Sequence, residues 1–224
     1  ETFGGAAKNF FRLIRDVDFS QYDYVALADQ DDIWFSNKLH RAITSIENRQ
    51  VDAYSSNVIA FWPDGTEKLI IKSQPQTEYD FLFQGAGPGC TYVFKSRALV
   101  SFKSYLLKNE HTINNIAFHD WALYAFFRSR NKSWFIDPTP GMRYRQHATN
   151  QLGANSDLKE FSKRFFMVKN KWYKKEVEKT VALAGDNLIN FSLNRFFLIK
   201  NFWKLRRRIK NKLFLLFFLL VGLF

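Results

Sequence analysis

"ALADQDDIW", residues 26–34, sets three carboxylates, Asp29, Asp31 and Asp32, directly after a small apolar run. That run closes "YDYVALA", which reads as a buried strand. Behind the acids, "SNKLHRAITSIENR" offers Ser36 as an N-cap and Leu39, Ala42, Ile43 and Ile46 at helical spacing, so a helix is expected over 36–49. Strand, acidic loop and helix in this order are the unit of an α/β sheet, where ligands bind beyond the carboxyl ends of the strands. Asp is common in such turns, and a capping role for Asp31 or Asp32 is the plain structural alternative. Ser36 already supplies a cap, however, and three acids within four residues repel one another unless a cation is shared. A hard divalent ion held by carboxylate oxygens resolves the conflict.

Outward from this unit the elements keep alternating. "AAKNFFRLIRDV" before it reads as a helix with Phe10, Leu13, Ile14 and Val17 inward. After it come the strand "DAYSSNVIAFW", a turn at Pro63, Asp64 and Gly65, and the strand "TEKLIIK", which together predict a hairpin. A short helix near 77–84, a glycine loop "GAGPGC", the strand "TYVFK", a helix from Ser96, a helix from His119 to Arg130 and strands at "SWFID" and "MRYRQH" complete the series. The pattern implies an α/β fold, a mixed sheet flanked by helices.

Three further groupings carry chemistry. The loop Gly85 to Gly89 is either an ordinary tight turn or a place where backbone approaches a ligand closely, and Gly87, Pro88 and Gly89 are its candidate contacts. In "FHDWALYAFFRSR", Asp120 opens a helix, as a first-turn acid favoured by the dipole or as a general base at a pocket mouth. In "MRYRQHATNQLGAN", alternation puts Arg143, Arg145 and His147 on one face, either solvated or placed to clamp phosphates and complete a metal site.

Composition sets outer limits. In 224 residues, 46% hydrophobic and 18% aromatic content excludes wholesale disorder, and the single cysteine, Cys90, allows no internal disulfide, which suits a reducing compartment. The net charge of +12 suggests nucleic acid until it is located. Residues 1–158 hold 17 Lys plus Arg against 17 Asp plus Glu, whereas 159–212 hold 16 against 4, so the whole excess lies in the tail. Two regions are expected: a catalytic domain over 1–155 and a basic, aromatic-rich helical appendage over 156–224.

"DYVALADQDDIWFSNKL", "GAGPGCTYVF", "HDWALYAFFRSR" and "YRQHATNQLGAN", in this order, resemble the family 2 glycosyltransferases, especially bacterial rhamnosyltransferase-like members that build cell-surface polysaccharides. The resemblance covers most of 1–155 and implies a GT-A-type fold. It implies that Asp29 and Asp31, joined by His147, hold Mg²⁺ or Mn²⁺ against the diphosphate of a nucleotide sugar, with Asp32, Arg143 and Arg145 on the donor side. It also implies that Asp120 is the catalytic base of an inverting transfer to a lipid-linked saccharide, with Gly87, Pro88, Gly89, His119 and Trp121 near the acceptor. His119 stands where the family more usually has Glu. The family normally begins with a strand, a nucleotide-gripping loop and a second strand, which have no counterpart ahead of the helix at 6–17, so an N-terminally incomplete domain is expected.

The tail ends in twelve uncharged residues, Leu213 to Phe224, behind Arg206, Arg207, Arg208, Lys210 and Lys212. Twelve are too few to span a bilayer, which takes roughly 20, and too apolar for water, so a seat in an anionic membrane surface is expected, on the cytoplasmic face of the bacterial plasma membrane. No nucleic-acid partner is expected. A metal-dependent nucleotidyltransferase would also use paired aspartates but gives no reason for Asp120; a non-catalytic membrane or nucleic-acid binding protein would be indifferent to Asp29 and Asp31.

Overall fold

The computed structural model describes residues 5–146, 166 and 170–224. Helix α1 (Ala6–Asp16) precedes β1 (Tyr24–Ala26), β2 (Ile33–Trp34), α2 (Lys38–Arg49), β3 (Ala53–Ser56), β4 (Val58–Phe61) and β5 (Glu67–Ile70). Then come β6 (Val93–Lys95), α3 (Ser96–Lys108), α4 (Glu110–Ile113), α5 (His119–Ser129), β7 (Trp134–Asp137) and β8 (Met142–Arg145). The expected short helix near 77–84 is a single 3-10 turn, Asp80–Leu82, and a second such turn covers Gly89–Thr91.

The strands form two sheets, ordered β1-β6-β3-β7 and β2-β8-β4-β5, with parallel and antiparallel pairs in each. The expected long strand 52–62 is broken at Asn57 and so serves both sheets, β3 pairing with β7 and β4 with β8. Asn57 turns its side chain into the break: Oδ1 accepts from Lys72 N at 2.6 Å, and Nδ2 donates to Pro138 O at 2.7 Å. The hairpin forms as expected, with Phe61 opposite Glu67. Chain entering the second sheet therefore leaves the first at three points, residues 27–32, Asn57 and residues 138–141.

Two helix faces differ from expectation. In α1 the inward set is Ala7, Phe10, Phe11 and Ile14, while Leu13 and Val17 are exposed. Phe11 packs on Phe102 of α3 and Phe10 stacks on the His119 ring, which rotates the buried stripe by one position. In α2, Lys38, Ala42 and Ile46 face inward and Leu39 outward; the helix begins at Lys38 behind Asn37, with no side-chain cap from Ser36. A lysine that reads as solvated is thus placed under the sheet, for reasons that lie in the site.

Beyond residue 170 the chain forms α6 (Trp172–Ala184), α7 (Arg195–Lys200), α8 (Phe202–Leu205) and α9 (Ile209–Leu220). These helices do not stand apart. Val177, Leu183, Leu198, Leu205, Leu215 and Leu219 belong to the same buried cluster as Phe11, Phe94, Phe102 and Phe126. The boundary expected at 155/156 lies outside the described residues. Two cations expected to face lipid turn inward instead: Arg207 donates to Asp80 Oδ2 at 2.7 Å and to Gly85 O at 2.8 Å, and Arg206 donates to Phe83 O at 2.6 Å. For Arg207 the reason is the fully buried Asp80 carboxylate, which a neighbouring guanidinium stabilises far better than water at a distance.

Candidate active site

The acidic loop is stretched between the sheets. Leu27 N still bonds Tyr92 O at 3.0 Å on the β1 side, while Ile33 and Trp34 already pair with Arg143 and Met142 of β8. Strand β8 clamps the loop by backbone and side chain together: Arg145 N donates to Asp32 Oδ1 at 2.9 Å, and Arg145 Nε to Asp31 O at 2.8 Å.

This clamp brings two of the three acids together. Ligand atoms of Asp29, Asp32 and Cys90 lie within 4.8 Å of one another; the Asp31 carboxylate is not in that trio. Burial raises the pKa of Asp29, and the charge of Asp31 adds to it. Burial likewise raises Asp32, against the Arg145 N–H bond that opposes it. Asp32 Oδ2 is buried with no hydrogen-bond partner among the described residues. An orphaned carboxylate oxygen beside a second raised carboxylate fits a hard divalent cation. Cys90 is a poorer fit to Mg²⁺ or Mn²⁺, because burial pushes its thiol well up and keeps it protonated.

Lys38 explains its own burial here. Its Nζ donates to Cys90 O at 2.8 Å and lies 3.1 Å from the Trp34 ring centroid. Burial lowers its pKa to about 7, with Cys90, Asp32 and Asp29 pulling the other way. Helical spacing could not reveal this residue, because a lone lysine on a helix reads as solvated.

Asp120 sits in the first turn of α5, with Oδ1 accepting from Trp121 N at 2.7 Å. Burial raises it to about 6; Lys72 opposes that shift and Asp29 adds to it. Tyr144 registers the whole group, raised by burial and then by the charges of Cys90, Asp32, Asp29 and Asp120. It was missed because alternation drew attention to the opposite face of β8. On that face, Arg143 and Arg145 each lie 4.7 Å from the Phe61 ring centroid, and Arg143 pairs with Glu67 of the hairpin. Arg145 thus bonds the acidic loop, whereas Arg143 pairs with Glu67 of the hairpin. His147 lies outside the described residues.

The glycine loop joins the parts. Tyr92 Oη accepts from Ala86 N at 3.1 Å and lies within donating distance of Gly87 O (3.1 Å) and Asp120 O (3.2 Å). Pro88 O accepts from Thr91, closing the turn that carries Cys90. A Cβ on Gly89 would lie 2.1 Å from His119 Nε2, so only glycine fits over that ring. His119 and Trp121, expected near the acceptor, are 9% and 5% exposed. His119 stacks on Phe10 at 4.1 Å, is held neutral by burial that lowers it to about 3, and supports Gly89 from beneath. Trp121 Nε1 donates to Phe81 O at 2.9 Å, and its ring stacks on Tyr173. Both act on the site through packing.

Carboxylates on a clamped loop, a half-buried acid with raised pKa and a glycine turn can hold a cation and accept a proton from a hydroxyl. No family model matches the chain. Among curated proteins it is 47% identical over 228 aligned positions to the dTDP-rhamnosyl transferase RfbG of Shigella flexneri, an alignment that covers 99% of this chain and 79% of that protein.

Proposed function

The chain belongs to the rhamnosyltransferase-like glycosyltransferases, enzymes with a nucleotide-sugar donor and a saccharide acceptor, and from that premise we propose that it moves rhamnose from a dTDP-linked donor to a hydroxyl of a lipid-linked saccharide in cell-surface polysaccharide synthesis. The observation that carries the reading is that Asp120, raised chiefly by desolvation, also feels the charge of Asp29, whose carboxylate lies within 4.8 Å of that of Asp32. Asp120 takes the acceptor proton as that oxygen forms its bond to the anomeric carbon; the bond from that carbon to the diphosphate breaks, and the nucleoside diphosphate leaves with the electron pair. One displacement of this kind inverts the anomeric centre. A carboxylate raised to about 6 is a stronger proton acceptor than an ordinary one and is still ionised at neutral pH.

Asp29 and Asp32, with Asp31 on the same loop, are the residues that would hold Mg²⁺ or Mn²⁺. Bound there, the ion supplies neutralisation of the charge gathering on the leaving diphosphate. Arg145 orients the loop through its two bonds, and Lys38 anchors Cys90 through its bond to the Cys90 carbonyl.

The test is transfer from dTDP-rhamnose to membrane-extracted lipid-linked saccharide in the presence of Mn²⁺. Asp120→Asn is expected to lose about 10²–10⁴-fold in transfer while donor affinity is kept. Asp29→Asn is expected to lose divalent-dependent donor binding. An Asp120→Asn enzyme that turns over normally but binds donor poorly removes Asp120 from the role of base.

A further inference from the structure

Helix α9 has apolar side chains on two sides. One stripe, Leu215, Phe218 and Leu219, enters the core. The other, Ile209, Leu213, Phe217 and Leu220 with Val221 after the helix, is at least half exposed, and its spacing of four, four and three residues keeps it on one face. Scattered exposed apolar residues are ordinary; a continuous row of four along one helix, extended by Val221 at its end, marks an interaction surface.

The row is edged by cations and a tryptophan. Arg208 and Lys210 are exposed at the start of α9, and Lys212 Nζ lies 5.4 Å from the ring centroid of Trp203, itself exposed. At the other end Arg195 Nε donates to Leu219 O at 2.6 Å, and the next residue, Phe196, is 81% exposed. No described helix is long and apolar enough to cross a membrane. At about 1.5 Å per residue, the 12 residues of α9 cover roughly 18 Å, against about 30 Å of hydrocarbon. Lying flat, the same helix can sink its outer stripe among acyl chains while the basic side chains and Trp203 stay at headgroup level.

We propose that the outer face of α9, with Trp203 beside it, is a docking surface for an anionic bilayer. Charge selects this occupant over two others. A second copy would bring two faces of the same positive sign together, and residues 147–169, with 4 Lys plus Arg against 2 Asp plus Glu, offer no negative complement. Anionic lipid does. The inference stands on these residues and not on the catalytic reading. It has one geometric consequence: Arg206 and Arg207, immediately ahead of α9, are bonded to Phe83 O and Gly85 O, so the bilayer contact is fixed in place relative to the glycine loop.

The full chain is tested by co-sedimentation with vesicles of phosphatidylcholine alone and with phosphatidylglycerol added. Tight binding only to the anionic vesicles, weakened by salt, is expected. Lys210→Gln with Lys212→Gln should weaken it about tenfold or more. Leu213→Ser with Phe217→Ser, at half-exposed positions, should abolish it while the melting temperature and donor binding match wild type. Unchanged vesicle binding in the serine variant overturns the proposal, as does wild-type protein that stays in the supernatant. A serine variant that turns a dimer into a monomer without affecting lipid binding overturns it too, assigning the face to a second copy.

Discussion

Asp80 and Asp120 are both served by helix α5, in opposite ways. Asp80 has no solvent contact and is surrounded by donors: Tyr124 Oη at 2.9 Å, Arg207 Nη1 at 2.7 Å and Arg128 Nη1 at 3.3 Å. Asp120, one turn before Tyr124, receives the backbone N–H of Trp121, and burial lifts it to about 6. A carboxylate whose charge is matched on every side holds helices together. One left short of donors is held ready to accept a proton. The same helix thus separates a structural acid from a chemical one by the number of donors that reach each.

The contrast can be broken most severely at Asp80. Arg207→Ala removes one guanidinium from a buried ion pair and should lower stability by about 3–5 kcal/mol, read by urea unfolding. A loss below 1 kcal/mol would mean that Arg128 and Tyr124 suffice and that Arg207 is a surface cation in solution. Gly89→Ala perturbs the other end of α5: the added carbon meets the His119 ring, which Phe10 backs, so about 3 kcal/mol of overpacking is expected together with reduced transfer. A fully stable Gly89→Ala protein would show that His119 can move.

The smallest effect has the opposite sign. The folded value of Asp120 lies above the ordinary 3.8, so between 3.8 and about 6 the folded chain keeps a proton that the unfolded chain has released. This group's share of stability therefore falls as pH rises through that window and is fully unfavourable above it. Asp120→Asn should accordingly stabilise the protein at pH 7 by on the order of 1–2 kcal/mol, and transfer by the wild type should decline as pH falls through about 6. An Asn variant that melts lower at pH 7 would place Asp120 with Asp80 as a structural acid.

Local pattern revealed much of this architecture and stopped where the chain folds back on itself. The strand before Asp29, helix α2, the hairpin at residues 63–65 and the helix opened by Asp120 all rest on neighbours within a few positions, where periodicity and turn chemistry act. Lys38, Cys90 and Tyr144 meet the acids only because two sheets share the loop 27–32, a relation that no spacing encodes. The inward turn of Arg206 and Arg207 was hidden for the same reason: a run of cations reads as solvated, and the buried acid that recruits one of them is 127 positions away. Helix α9 escaped by a different route, since a helix apolar on both sides has no polar face by which to orient it.

The Asp80–Arg207 pair also bears on how the protein reaches its fold. A contact joining residues so far apart closes a large loop, and the entropy of that closure must be met before the contact contributes anything. Contacts of such separation slow folding, because the chain must search for them after local helices and hairpins have formed. Tyr124 and Arg128 reach Asp80 from α5 across a much shorter stretch of chain, 44 and 48 positions. Arg207 reaches the same acid from far along the chain and so latches the C-terminal helices to the core they share with α5.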